Sequence, residues 1–154
     1  MASTLPLETL TGLARDRTDE AARRLASLTT ASDSAAHKLE ALQQYRRDYA
    51  EQLRLLMECG LDAPRLRNYR EFLAALDRGI AQQRSVAEQA QARLRDGRGQ
   101  WQQEHRRLNA FETLAERRQR EHLLQQGRRE QRAGDEQAAR MVMARALAGG
   151  GGCA

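Results

Sequence analysis

An apolar stripe with a seven-residue repeat runs through the second half of the chain, from Leu66 to Ala115. Its positions follow one another at steps of three and four residues, and all but Gln83, Gly97 and Glu104 are apolar. A repeat of this period lies along one side of a long helix and requires another helix to cover it. It also imposes a left-handed supercoil. The sequence therefore predicts a coiled coil, whose second helix lies elsewhere.

The first half of the chain carries a matching stripe. Between Leu7 and Leu56, eight apolar residues fall seven positions apart, and the alternate positions are weakest at Thr18, Ser32 and Arg46. Apolar residues make up 40% of the sequence, aromatic residues 4% and charged residues 31%, which is typical of a coiled coil or a long helical hairpin. Valine and isoleucine are too rare to build strands. We therefore expect an all-α fold.

A break between the two stripes falls at residues 59–64. Gly60 can end a helix in the left-handed conformation, Asp62 is a candidate N-cap, and Pro64 suits the first turn of the next helix. A loop this short makes the two helices antiparallel. The predicted organisation is a single coiled-coil hairpin over 1–148, with helix 1 at about 6–58, the turn at 59–63, helix 2 at about 64–146, and a flexible Gly-rich tail at 149–154.

The register of this hairpin follows if Leu56 faces Leu66. Large residues then meet small ones, with Trp101 against Ala21 and Gly97 against Leu25, as a densely packed seam requires. The weak layers are polar, and polar layers lower stability but help to fix the register. These layers pair Arg46 with Leu76, Leu39 with Gln83, and Thr18 with Glu104.

Helix 2 is predicted to extend beyond the start of helix 1, so no partner within the chain remains for it after about residue 116. This segment is rich in arginine and has no aromatic residue after Phe111. It is either a solvated helix, a segment that inserts into a partner's cavity, or a nucleic-acid contact, although base stacking is disfavoured without aromatics. Between 117 and 132 its arginines are Arg117, Arg118, Arg120, Arg128, Arg129 and Arg132.

A cluster of aromatic residues is predicted near the turn. Tyr45 and Phe72 flank the stripe, next to the stripe positions Tyr49 and Leu76. They either widen the packed seam or form a docking patch for another protein, since exposed aromatic residues are common interface anchors.

The sequence gives little support for an enzyme, a metalloprotein, a membrane protein or a secreted protein. The three histidines are far apart and lack a second ligand at metal-binding spacing, so we expect no metal, no cofactor and no enzyme. No apolar run approaches the ~18 residues of a membrane span, and no secretory signal is evident, which favours a cytosolic protein. Cys59 and Cys153 are expected to be free thiols. Ser3 or Thr4 can cap the first helix.

Three segments resemble one known family. LEALQQYRRDYAEQL, then NYREFLAALDRGIAQQ after the turn, and then QWQQEHRRLNAFETLAERR are similar to the FliJ family of the flagellar type III export apparatus. The resemblance covers about 5–140, and the tyrosine pair Tyr45/Tyr49, Phe72 and Trp101 raise it above a generic coiled-coil likeness. The sequence departs from the family pattern at Lys38, Gly79 and Gln83, so the resemblance does not define the edges of the aromatic patch.

The resemblance implies a non-enzymatic stalk that binds the hexameric export ATPase, promotes its ring assembly and couples it to the membrane export gate. It also implies handling of export chaperones, and a cytoplasmic position at the inner face of the cell membrane at the flagellar base. The arginine-rich overhang would face the ATPase. Alternatives are a stalk of a virulence type III injectisome and a basic nucleic-acid-binding module. The family's gate-binding patch corresponds here to Leu42, Tyr45, Tyr49, Phe72 and Leu76.

Overall fold

Two long α-helices pack against each other as a hairpin in the computed structural model, which describes residues 6–150. Helix α1 spans Leu7–Cys59 and has 53 residues, and helix α2 spans Ala63–Gly149 and has 87 residues. The described part of the chain contains no strand. The prediction of an all-α hairpin with a longer second helix is therefore confirmed, and each helix ends within three residues of its predicted bound.

The turn between the helices uses the predicted residues. Gly60 has a φ of 89°, which is the left-handed conformation that glycine adopts without steric cost, and its N–H donates to the Met57 carbonyl at 3.4 Å. The Asp62 carbonyl accepts the first hydrogen bond of α2, from the Leu66 N–H at 3.1 Å. Pro64 follows within the first turn of α2, where its missing N–H costs nothing.

The start of α1 lies one residue later than predicted. The Pro6 carbonyl accepts hydrogen bonds from the N–H groups of Thr9 and Leu10, so Pro6 precedes the helix and Leu7 begins it. The predicted caps Ser3 and Thr4, and also Cys153 with most of the predicted flexible tail, lie outside the described residues.

The chain divides into two compact units. One unit is Leu13–Arg107, and the other combines Met1–Gly12 with Leu108–Ala154. In the first unit α1 and α2 pack along their whole paired length. In the second unit Leu108 is buried, whereas every residue from 116 to 150 is exposed. The prediction of one domain over 1–148 stays a prediction.

Burial in the unit Leu13–Arg107 follows the predicted stripes. Stripe positions of both helices are buried or half-buried, and most positions between them are exposed. No side chain in the described residues is both large and fully buried, because a two-helix seam covers only one side of each helix. The buried positions of this unit are Ala14, Thr18, Ala21, Ser32, Ala35, Leu76, Ile80, Ala87 and Gly97.

Contacts across the seam lie within about one helical turn of the predicted register. Tyr49 stacks on Tyr69 with ring centroids 4.8 Å apart, and Arg24 Nη1 donates to Gln100 Oε1 at 3.4 Å. A Cβ added to Gly97 would overlap Leu28 Cδ1, whereas Leu25 Cδ1 is 4.0 Å away. The expected large-against-small layer is present, but Leu28 comes closer to Gly97 than the predicted Leu25. The pairing of Trp101 with Ala21 stays a prediction.

Polar residues in the stripes find partners through their side chains. Gln83 Nε2 donates to the Ala35 carbonyl across the seam at 3.1 Å, and the Thr18 hydroxyl donates to the Ala14 carbonyl at 2.8 Å within α1. Glu104 Oε2 is buried without a hydrogen bond, although Arg107 Nη1 lies 3.6 Å away. Burying a polar atom costs free energy unless it is paired, so Gln83 and Thr18 cost little, whereas Glu104 weakens its layer.

Candidate partner-binding surfaces

Four aromatic rings from the two helices form one cluster near the turn. The Tyr49 ring is its centre, because its centroid lies 4.5 Å from that of Phe72, 4.8 Å from that of Tyr69 and 6.2 Å from that of Tyr45. Tyr45 and Phe72 meet edge to face, with centroids 6.1 Å apart and an interplanar angle of 83°. Aromatic pairs at these distances are stabilising beyond the area they bury. The cluster is therefore part of the seam as well as a surface.

Exposure separates the members of the predicted patch. The Tyr45 side chain is 51% exposed and Phe72 is 38% exposed, whereas Leu76 is only 9% exposed. Leu42 and Tyr49 are half-buried. Tyr45 and Phe72 are therefore the accessible rings of the patch, and the Tyr49 ring packs against both of them.

The environment of Tyr49 favours its neutral hydroxyl. Burial raises the pKa of Tyr49, and the neighbouring hydroxyls of Tyr69 and Tyr45 raise it further. The folded state therefore keeps this phenol protonated above the pH at which an unfolded tyrosine ionises, so its contribution to stability is lost as the pH rises through alkaline values.

An ion pair beside the cluster was not anticipated from the sequence. Arg46 occupies a stripe position, yet its Nε donates to Asp77 Oδ1 at 2.6 Å and its Nη2 to Asp77 Oδ2 at 3.4 Å. The hydrogen bond from Arg46 lowers the pKa of Asp77, and the same bond raises the pKa of Arg46. This bidentate pair joins α1 to α2 at the layer predicted to be weak. The signal in the sequence was an aspartate one position after the stripe residue Leu76.

The arginine-rich segment of α2 presents its side chains to solvent. Arg117, Arg128, Arg129 and Arg132 are exposed, and Arg120 pairs with Glu116 over 3.8 Å, within the same helix. Exposed apolar residues accompany them, namely Leu123, Leu124, Met141, Val142, Met143 and Leu147. A helix in a protein gains most of its stability by packing an apolar side against another element. The apolar side chains of this segment are exposed instead, so its surface is available to a partner.

A cleft lies where α1 begins beside α2. Pro6, Leu7 and Glu8 of α1 line it together with Arg118 and His122 of α2, around a volume of 580 Å³. This cleft brings Arg118 to a concave surface, whereas the other five predicted arginines lie elsewhere on the helix.

No group of three or more His, Cys, Asp or Glu side chains among residues 6–150 is placed to hold a metal ion. Neither α1 nor α2 contains a stretch long and apolar enough to cross a membrane.

Comparisons with known proteins point to one family. The family model described as the flagellar FliJ protein matches residues 3–147. The flagellar FliJ proteins of Escherichia coli (strain K12) and of Salmonella typhi are each 32% identical to this chain over 143 residues. The matched region covers 93% of this chain and 97% of each relative.

Proposed function

The chain belongs to the FliJ family, a component of the flagellar protein export apparatus, and we propose that it acts there as a non-enzymatic coiled-coil stalk. In this role it binds the hexameric export ATPase, promotes assembly of the ATPase ring, and couples that ring to the membrane export gate. The observation that carries the proposal is that α2 continues as an uncovered helix from residue 116 to Gly149.

The ATPase is proposed to bind the uncovered part of α2. This segment combines arginines such as Arg128 and Arg132 with exposed apolar residues such as Leu124 and Met141. A helix of this kind presents a different set of side chains on each of its sides. Six identical ATPase subunits arranged around it would therefore meet unequal surfaces, which provides a way to couple nucleotide hydrolysis to gating.

The export gate is proposed to bind the aromatic patch, which consists of Leu42, Tyr45, Tyr49, Phe72 and Leu76. Tyr45 and Phe72 are the accessible rings, and exposed aromatic residues held rigidly in a cluster lose little conformational entropy on binding. The same patch or the uncovered helix also serves export chaperones in this proposal. The protein would then be cytoplasmic and peripherally associated with the inner face of the cell membrane at the flagellar base.

Two variants test the two surfaces separately. A chain truncated after Ala115 is expected to lose the ATPase in pull-downs from motile cells and to retain the gate protein. Tyr45→Ala combined with Phe72→Ala is expected to do the opposite. Met57→Ala serves as the matched control, because Met57 is also 51% exposed but lies outside the patch. Normal motility and secretion in the double variant would refute the role of the patch, and ATPase capture by the truncated chain would refute the role of the uncovered helix.

A further inference from the structure

The two helices of the unit Leu13–Arg107 share one flank beside their seam. The first position of a heptad is the stripe residue that is followed by another stripe residue three positions later. In each helix, the residue just before this position lies on the shared flank, for example Tyr45 before Arg46 and Phe72 before Leu73. The contact between Tyr45 and Phe72 places these positions of the two helices on the same side. The hydrogen bond between Arg24 and Gln100 places a second such pair there as well. We name this flank the Tyr45 face.

Exposed apolar side chains collect on the Tyr45 face. Six large apolar residues of the unit Leu13–Arg107 are exposed. Tyr45, Phe72 and Val86 occupy the flanking position itself, and Leu13 and Leu55 lie two residues after a heptad's first position, which is the next row outward on the same side. Met57 alone lies on the opposite flank. Five of the six therefore lie on the same side of the seam, and exposed apolar residues gathered on one side are typical of an interaction surface.

In the row next to the seam the charges on the Tyr45 face are all positive, whereas the next row outward, which holds Leu13 and Leu55, carries the carboxylates Glu20, Asp48 and Asp96. Two of the cations lie beside a carboxylate: Arg24 Nη2 is 3.5 Å from Glu20 Oε1, and Arg107 Nη1 is 3.6 Å from Glu104 Oε2. The other four cations form no ion pair among the described residues. From 13 to 107 the flanking position holds no carboxylate, and its six cations are Arg17, Arg24, Lys38, Arg65, Arg93 and Arg107.

We propose that the Tyr45 face binds an acidic amphipathic helix of a partner protein, laid along the groove between α1 and α2. Phe72, Val86 and Arg93 are separated by multiples of seven residues, which is the spacing that a third helix packed along the seam would meet. Its apolar stripe covers Phe72 and Val86, and its carboxylates face Lys38 and Arg93. The register places Lys38 across from Val86, so an apolar contact and a cation occur in the same layer.

An acidic helix matches this surface better than a polyanion or a lipid bilayer does. Phosphate groups would satisfy Lys38 and Arg93 but would leave Val86, which is 44% exposed, without an apolar partner. A bilayer requires a broad apolar surface, whereas the apolar side chains here lie in narrow rows along a groove. The inference rests on the proposed function for Tyr45 and Phe72, and it adds Lys38, Val86 and Arg93 together with the chemistry of the partner.

Site-specific photo-crosslinking in motile cells tests the inference. The full chain carries p-benzoylphenylalanine in place of Val86 or, as a control, in place of Gln91, which is exposed on the opposite flank. Mass spectrometry of the crosslinked peptide from position 86 is expected to identify a segment with net negative charge and apolar residues at steps of three and four. A basic or neutral segment, a nucleic acid, a lipid, the same segment from position 91, or no crosslink at position 86 would each overturn the proposal.

Charge reversal separates this inference from the proposed function. Lys38→Glu with Arg93→Glu is expected to lower the crosslinking yield at position 86 by roughly tenfold, because like charges would then face each other. The matched pair Arg84→Glu with Arg98→Glu lies on the opposite flank and is expected to leave the yield within about twofold of the wild type. Circular dichroism confirms that both variants fold.

The two possible failures differ in their readouts. An unchanged yield with Lys38→Glu and Arg93→Glu, together with loss of the gate protein in Tyr45→Ala and Phe72→Ala, would overturn the acidic-helix proposal and leave the proposed function intact. A lost yield in the charge-reversal variant, together with an unaffected gate pull-down in the aromatic variant, would overturn the gate assignment instead.

Discussion

The paired and the uncovered parts of α2 have similar local sequences but different surroundings. Within Leu13–Arg107, α2 buries Leu76, Ile80 and Ala87 against α1, whereas its part from 116 to 149 buries none of its residues. Both parts are built mainly from arginine, glutamine, glutamate and alanine, all of which favour helices. Helix propensity is therefore common to both parts, and only the paired part gains the free energy of apolar burial.

The largest expected contrast comes from truncating an apolar side chain in each part. Ile80→Ala removes a side chain that is 8% exposed and is expected to cost about 3 kcal/mol of unfolding free energy, through lost burial and a cavity. Val142→Ala removes a β-branched side chain that is 67% exposed and is expected to change this free energy by less than about 0.5 kcal/mol. Urea unfolding followed by circular dichroism measures both. Equal effects on the unfolding free energy would contradict the difference in burial between the two parts.

Glycines in the interior of α2 provide the next contrast. A Cβ at Gly79 meets nothing within 4 Å, so Gly79→Ala is expected to stabilise the chain by about 0.5–1 kcal/mol through helix propensity. Gly97 faces Leu28 so closely that Gly97→Ile is expected to destabilise it by about 1–3 kcal/mol, because the added carbons overpack the seam. Thermal unfolding of the two variants checks the opposite signs, and a stabilising Gly97→Ile would show that the helices are not in close contact there.

Gly127 lies in the uncovered part of α2. No atom lies within 4 Å of a Cβ at Gly127, so Gly127→Ala is expected to favour the helix locally by up to about 1 kcal/mol. Because this segment packs on nothing, the urea midpoint of the paired part should stay where it is. Hydrogen exchange should slow only around residue 127. A shift of the midpoint as large as that of Gly79→Ala would indicate that the uncovered helix unfolds together with the seam.

The smallest effect concerns the ion pair of the paired part. Arg46 lowers the pKa of Asp77, so the folded state holds this proton less tightly than the unfolded chain does. The stability from this pair is therefore fully present above the unfolded pKa of about 4 and is lost as the pH falls through the lower folded value. The melting temperature of the wild type should exceed that of Asp77→Asn slightly at neutral pH. The difference should shrink as the pH falls below about 4, and a difference that stayed constant with pH would exclude the pair as its source.

Much of the fold could be predicted because a heptad repeat constrains geometry directly. The stripes from Leu7 to Leu56 and from Leu66 to Ala115 require mutual burial, and Gly60 and Asp62 mark where the chain reverses. The details of individual layers could not be predicted in the same way. Leu28 lies closer to Gly97 than Leu25 does, and a heptad repeat does not specify which of two stripe leucines fills the space over a glycine.

The surfaces were predictable only in part. Tyr45 and Phe72 could be placed beside the stripe by counting residues, but their edge-to-face contact and the burial of Leu76 depend on both helices. Arg46 illustrates the same limit. Its stripe position suggests a destabilising charge in the seam, whereas its long side chain reaches Asp77 at the rim and keeps the guanidinium hydrated.

By itself, the sequence determined two helices, their antiparallel pairing and the uncovered end of the second one. These follow from periodicity and from the lengths of the stripes, which are properties of the chain alone. Only the tertiary structure decided which flanking residues share a side, so the gathering of Tyr45, Phe72, Val86 and the unpaired cations on one face emerges from the pairing. The physical reason is that a side chain's neighbours across the seam depend on the register and rotation of two helices, which local propensities do not encode.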